Sequence, residues 1–218
     1  MPNHTSQILT VDCDKKTFNK IKKAVKGKKQ AFDQDAFFPM PEEIRNTQSP
    51  VTIISDEDYV KFQNGEEVTI RSEFGHVHTI KKSEDPDSMF ASKPISESMN
   101  EKLLMEHGCN NWYDWAHKHW GTKWGVYHCG KWNIKEQSIY FQSAWSPATE
   151  IIEKLSTMFP EVNFVLDAAD EGGGFLLTQD IKGGEVISEL NFDWNSDEGI
   201  ELRDKLGVYY PENEEQEA

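Results

Sequence analysis

Apolar and polar positions change period twice within the first thirty residues. QILTV (7–11) alternates, as a half-buried strand does. Asp14 then offers a capping oxygen to a helix over Lys15–Lys26, and Gly27 closes it. Phe18, Ile21 and Val25, with Ala24, share one face of that helix and lysines fill the other. AFDQDAFFPMPEEIRNTQSP mixes aromatics with three prolines and predicts an ordered loop with a helical turn at Glu42–Arg45. VTII (51–54) and EVTIRSEFGHVHTIKK (67–82) read as extended runs, the second as a hairpin turning at Gly75. SEDPDSMFASKPISESMN is polar and reads as a linker, so residues 46–100 predict an insertion.

The pattern then becomes regular. Ser98 or Asn100 opens a helix that stops at Gly108, and a second runs from about Asn110 to Trp120. GVYHCGKWN (125–133) and SIYFQSAW (138–145) predict strands. SPATEIIEKLSTMF predicts a helix with Ser146 as cap and Pro147 in first position, ended by Pro160. NFVLDAADEGGGFLLTQDIKGGEVISELNFDW (163–194) alternates through three strands divided by Gly-rich turns. The order is α+β: a ferredoxin-like βαββαβ core, an antiparallel sheet with helices on one face, extended by extra C-terminal strands and the inserted segment. One domain over 1–210 is expected, followed by an acidic disordered tail at 211–218.

Composition narrows the class. With 37% hydrophobic residues among 218, the chain is too apolar to be disordered throughout. No apolar run is long enough to span a membrane, and the N-terminus lacks the pattern of a secretory leader, so an intracellular protein is expected. Cys13, Cys109 and Cys129 are too few and scattered for a disulfide framework. The net charge of −15 is uneven. Residues 161–218 hold sixteen acids against Lys182, Arg203 and Lys205, while Lys15–Lys29 carries eight lysines and no acid. The acidic end either confers solubility or attracts a basic partner, with Asp167, Asp170, Glu171, Asp193, Asp197 and Glu198 as candidate contacts.

NWYDWAHKHWGTKW (111–124) holds four of the seven tryptophans. Trp112 and Trp115 share a helix face with His119, Trp120 begins a turn, and Trp145 joins the cluster if the two following strands pair. Each buried Trp contributes on the order of 2–3 kcal/mol. The cluster is either a small core or a stacking platform for a base, with Lys123 beside Trp124 meeting a phosphate. Metal chemistry finds little support. His117 and His119 diverge on a helix, His128 and Cys129 face opposite sides of a strand, and no C-x-x-C or H-E-x-x-H spacing occurs. Asp167, Asp170 and Glu171 read as an acidic turn more readily than as a magnesium site. No nucleophile elbow or phosphate loop is present, which points to a protein without catalysis or cofactor.

FFPMPEE (37–43), NWYDW and WGTKW (111–124), FQSAWSP (141–147) and EGGGF (171–175), in that order, resemble the YubB ferredoxin-like family of bacteriophage and plasmid proteins. The opening MPN fits as well, although His4 and Thr5 stand where that family continues with Trp and Cys. The resemblance implies the ferredoxin-like core and a mobile-element origin, hence the cytoplasm of an infected bacterial host. The expected function is a non-enzymatic accessory protein, an anti-defence factor whose acidic surface engages a basic host or defence protein. The alternative is a nucleotide or single-stranded nucleic-acid binder using Trp112, Trp115, Trp120, Lys123, Trp124 and Trp145.

Overall fold

The chain begins with β1 (His4–Asp12), α1 (Lys15–Ala24) and α2 (Glu42–Arg45). β2 (Ile53–Ile54), α3 (Asp56–Gln63), β3 (Val68–Arg71), β4 (Val77–Ile80) and β5 (Ile95–Ser96) follow. After these come α4 (Glu97–His107), α5 (Trp112–Trp120), β6 (Ser138–Ala144), α6 (Thr149–Met158), β7 (Asn163–Asp170), β8 (Leu176–Lys182), β9 (Glu185–Asn191) and α7 (Asp197–Leu206). This computed structural model describes residues 3–71, 76–85 and 91–209. The hairpin turn at Gly75, part of the polar linker and the 211–218 tail lie outside the described residues. Two compact units result, residues 1–39 with 116–218 and residues 40–115, with the boundary inside α5. The expected insertion falls within the second unit.

In the first unit the sheet order is β6-β1-β7-β8-β9, antiparallel throughout. β1 lies between β6 and β7, so β6-α6-β7 is a split βαβ unit, the mark of the ferredoxin-like fold. Alternation divides the sheet into two faces. Gln7 stands beside Phe141 and Ala168, and Leu9 beside Ile139 and Leu166, all on one face. Against that face α6 buries Ile151, Ile152 and Leu155, and α1 buries Phe18 and Ile21. Each of these side chains contributes roughly 1.5–3 kcal/mol by leaving water. Phe141 stacks on Phe32, ring centres 5.1 Å apart.

Several local expectations change. Residues 125–133 form no strand; only Tyr127 and Asn133 bridge to β6, at Gln142 and Ser138. Gly125 and His128 take positive φ of 72° and 49°, which breaks the extended run a ladder needs. α6 starts at Thr149 after Ala148, because Ser146 spends its hydroxyl on the Gly121 carbonyl instead of capping. α7 was not legible from its apolar pattern. It packs on the second sheet face, where Leu202, Leu206 and Val208 meet Ala169, Leu176 and Ile8, so helices occupy both faces. Ser196 caps it, and a Cβ at Gly199 would collide with the Asp193 carbonyl.

The second unit has its own small core of Ile54, Phe62, Val68 and Ile80, with Tyr59 and Ile70 against it. β2 pairs parallel with β5, and β3 with β4 as the expected hairpin. α3, unanticipated, is capped by Ser55. Ser96 caps α4 and Gly108, at φ 68°, ends it.

The sheet core sets a measurable contrast. Phe141→Ala, at a fully buried site, is expected to cost about 3–5 kcal/mol in urea unfolding. Trp145→Ala, where the indole is 49% exposed, should cost less than about 1 kcal/mol.

Candidate functional site

Motifs far apart in sequence converge at one end of the first unit's sheet. The His4 N–H donates to the Glu171 carboxylate at 2.7 Å, and the Glu171 N–H donates back to the His4 carbonyl at 3.0 Å. The Trp145 N–H donates to the Asn3 carbonyl at 3.0 Å. The Ser146 hydroxyl reaches Gly121, joining the AWSP and WGTKW motifs. Asn3, His4, Trp145 and the EGGGF loop therefore share one place because β1 pairs with both β6 and β7. Trp145 is held at φ 73°, a left-handed conformation that a bulky residue rarely adopts.

Around this end runs a polar and aromatic network on the face carrying the even-numbered residues of β1. His4 Nδ1 lies 2.8 Å from the Tyr127 hydroxyl, which donates to the Ser143 carbonyl at 2.8 Å. His128 Nδ1 meets Gln142 Oε1 at 2.8 Å, and Ser6 Oγ lies 3.0 Å from the Tyr140 hydroxyl. Nothing in the sequence singled out this network. The alternation of β1 could have placed His4 and Ser6 on one face, but not beside Tyr127 or His128.

The tryptophans separate. Trp120 is buried and donates its indole N–H to the Phe38 carbonyl at 3.0 Å, so it belongs to the core of the first unit. Trp115 is buried and Trp112 half-buried, both within the second unit. The backbone N–H of Trp112 donates to Thr47 Oγ1 at 2.9 Å. Trp115 and Trp120 are thus unavailable to a ligand, each buried within its own unit. Trp124 is 42% exposed, with the Lys123 ammonium 4.7 Å from its ring centre and Tyr127 edge-on at 6.3 Å. Trp124, Lys123 and Trp145 are what remains of the expected platform.

The acidic candidates separate as well. Asp167 is buried, accepts the Thr178 hydroxyl at 2.6 Å and pairs with Lys205 at 2.6 Å. Asp170 is buried and accepts the Gly174 N–H at 3.0 Å and the Asn3 amide at 3.3 Å, tying down the glycine loop. Neither is open to a partner: Asp167 lies under Lys205 of α7 on one sheet face, and Asp170 under the glycine loop on the other. Glu171, Asp193, Asp197 and Glu198 are exposed. Asp193 accepts the Asn195 N–H, and Asp197 and Glu198 sit in the first turn of α7, where the helix dipole favours them. They join the exposed Glu185 and Glu189 of β9 and Glu201 and Asp204 of α7. β9 is the last strand of the sheet, and its Ile187 and Leu190 are 60% and 59% exposed.

Among the described residues Glu43, Glu106 and His107 bring ligand atoms together. Lys102 already occupies that cluster through Glu43 at 2.8 Å and Glu106 at 3.7 Å. No described helix is long and apolar enough to cross a membrane.

The split βαβ arrangement and antiparallel sheet define a ferredoxin-like domain. Residues 120–212 match the family model described as a ferredoxin-like domain in Api92-like protein. No curated protein matches the chain. Among solved structures, the crystal structure of a protein api92 from Yersinia pseudotuberculosis is similar at 16% identity and a TM-score of 0.33. That similarity covers 39% of this chain and 32% of the other. The ferredoxin-like family is common ground with the resemblance drawn from the sequence motifs; the YubB group itself is not singled out.

Burial, then the nearby Glu171 carboxylate and Tyr140, push the Tyr127 phenol up to about 12. An acid held above its ordinary value of about 10 contributes stability that is complete below pH ~10 and is lost as pH rises towards 12. The expected outcome is one tyrosine whose phenolate absorbance appears last in an alkaline titration and disappears from it in Tyr127→Phe. The same variant should flatten the alkaline fall of the unfolding midpoint.

Proposed function

We propose that the protein acts by binding, without catalysis, and that the β9 edge with α7 takes a basic, extended segment of a partner protein. The observation that carries this reading is the edge strand itself. β9 is seven residues long, ends the sheet, shows two large apolar side chains to water and contains no Lys, Arg or Pro. Edge strands are ordinarily guarded by such residues against pairing with another chain. Its charges select the partner. The register shifts between Asp180 and Ile181, leaving Ile187 unpaired, so Glu185 (opposite Lys182) and Glu189 (opposite Gln179) present carboxylates on the two faces of the strand. A strand with lysines or arginines opposite Glu185 or Glu189 pairs with those carboxylates favourably, and apolar side chains on it can meet Ile187 or Leu190. In a chain resembling phage and plasmid proteins, the fitting partner is a host or defence protein with a basic surface, and the role an anti-defence one.

The test is titration of the full chain with a ten-residue peptide alternating lysine and valine, followed by backbone amide NMR. Shifts and slowed exchange should centre on residues 185–191. Affinity should fall about tenfold or more in the Glu185→Lys, Glu189→Lys double variant and with rising salt. Shifts centred elsewhere, or equal binding of the acidic counterpart peptide, would sink the reading.

A second reading has its own observation, the exposure of Trp124 and Trp145 beside Lys123. It makes the sheet end a stacking surface for a nucleotide or single-stranded nucleic acid. Quenching of tryptophan emission by an oligonucleotide, lost in the Trp124→Leu, Trp145→Leu variant, would favour it; emission unchanged at millimolar ligand would remove it.

A further inference from the structure

We infer that His4 and His128 form a binding site for a divalent transition-metal ion such as Zn²⁺, Ni²⁺ or Cu²⁺, held through their Nε2 atoms. The Tyr127 hydroxyl gives its only proton to the Ser143 carbonyl at 2.8 Å. Towards His4 it therefore accepts, and the 2.8 Å contact requires the proton on His4 Nδ1. His128 Nδ1 lies 2.8 Å from Gln142 Oε1. The Gln142 amide is oriented by its own nitrogen, which donates towards Ser6 Oγ at 3.5 Å. An amide oxygen only accepts, so His128 also carries its proton on Nδ1. In its neutral form each ring therefore keeps its lone pair on Nε2, and neither Nε2 has a hydrogen-bond partner among the described residues.

This is the arrangement of metal-binding imidazoles, whose far nitrogen donates to an oxygen that fixes tautomer and ring orientation. The two ring centres are 6.4 Å apart with planes tilted by 40°. Two imidazoles on one tetrahedral ion at about 2.0–2.1 Å put their ring centres roughly 5 Å apart, so binding draws the exposed His128 ring closer to His4. His128 sits at φ 49°, a left-handed conformation uncommon for a non-glycine residue. Nitrogen donors select borderline transition metals over Mg²⁺ or Ca²⁺. Two protein ligands leave coordination positions for water or for a group on another molecule, and the Glu171 carboxylate, bonded to the His4 N–H, adds negative charge at the same strand end.

The residues were not joinable from sequence. They lie 124 positions apart, and His128 had been placed on a regular strand that does not form.

The experiment is long-range ¹H–¹⁵N NMR of the histidine rings in the full chain, with and without Zn²⁺. Before metal, both rings should show the Nδ1–H pattern. Added Zn²⁺ should shift the Nε2 resonances of His4 and His128 together. His4→Gln and His128→Gln should each weaken that response about tenfold or more, while His117→Gln leaves it unchanged. An Nε2–H pattern on either ring, no response of the pair at roughly millimolar Zn²⁺, or a response of one ring indifferent to the loss of the other would overturn the site. Circular dichroism of both variants separates loss of the site from loss of the fold.

Discussion

β1 is hydrogen-bonded along both edges, to β6 and to β7, and this double pairing brings together the N-terminus, the AWSP motif and the glycine loop of the first unit. A central strand has no free edge, so its register towards each neighbour is set by alternation on a buried face. Once Leu9 lies beside Ile139 and Leu166, His4 must fall opposite Ala144, and Thr5 opposite Asp170. The start of the chain, the end of β6 and the end of β7 are thereby brought to one point. A slip of one residue would turn Gln7 and Leu9 away from the α1 and α6 layer and onto the face that α7 covers.

Gln7 shows how closely sheet and helix depend on each other. It is fully buried among apolar neighbours, which is costly for an amide unless its groups are paired. Its oxygen accepts the Ala148 N–H at 2.8 Å and its nitrogen donates to the Ser143 hydroxyl at 2.7 Å. The oxygen thus serves an amide at the start of α6 that no local side chain caps. The sheet supplies from β1 what the AWSP segment does not supply from its own serine. That serine is free to hold Gly121, and so the loop bearing Lys123 and Trp124.

The two ends of the molecular surface differ in chemistry because the sheet separates them. The β6 side gathers aromatic rings, hydroxyls and imidazoles around the N-terminus, partly shielded by the 125–133 segment. The β9 side is acidic and apolar, with an open edge. α7 covers the sheet face between them and ties to β7 through Lys205 and the buried Asp167. Losing Lys205 would leave an uncompensated carboxylate under the helix, so this contact is a condition for the acidic surface beside it.

Much of the fold was legible in local pattern. Alternation in 7–11, 138–145 and 163–194, the caps at Asp14 and Gly108, and the turn at Glu42–Arg45 all act over a few residues, and the ferredoxin-like order followed from them. The uneven charge was equally plain. What failed depended on distant partners. The 125–133 run has strand composition but lies where Gly125 and His128 turn the chain, and α7 has too thin an apolar stripe to announce itself without the sheet it covers. Periodicity cannot say which tryptophan is covered, so Trp120 and Trp124, four residues apart, end one in the core and one in water. Nor can it say that Asp167 and Asp170 turn inward while Glu171 does not. By itself the sequence determined most elements of the ferredoxin-like core, their order and the sign of the charge, because those are short-range properties. Only the tertiary structure decided which charges and rings face solvent, because that depends on which strand lies beside β1 and what packs above it.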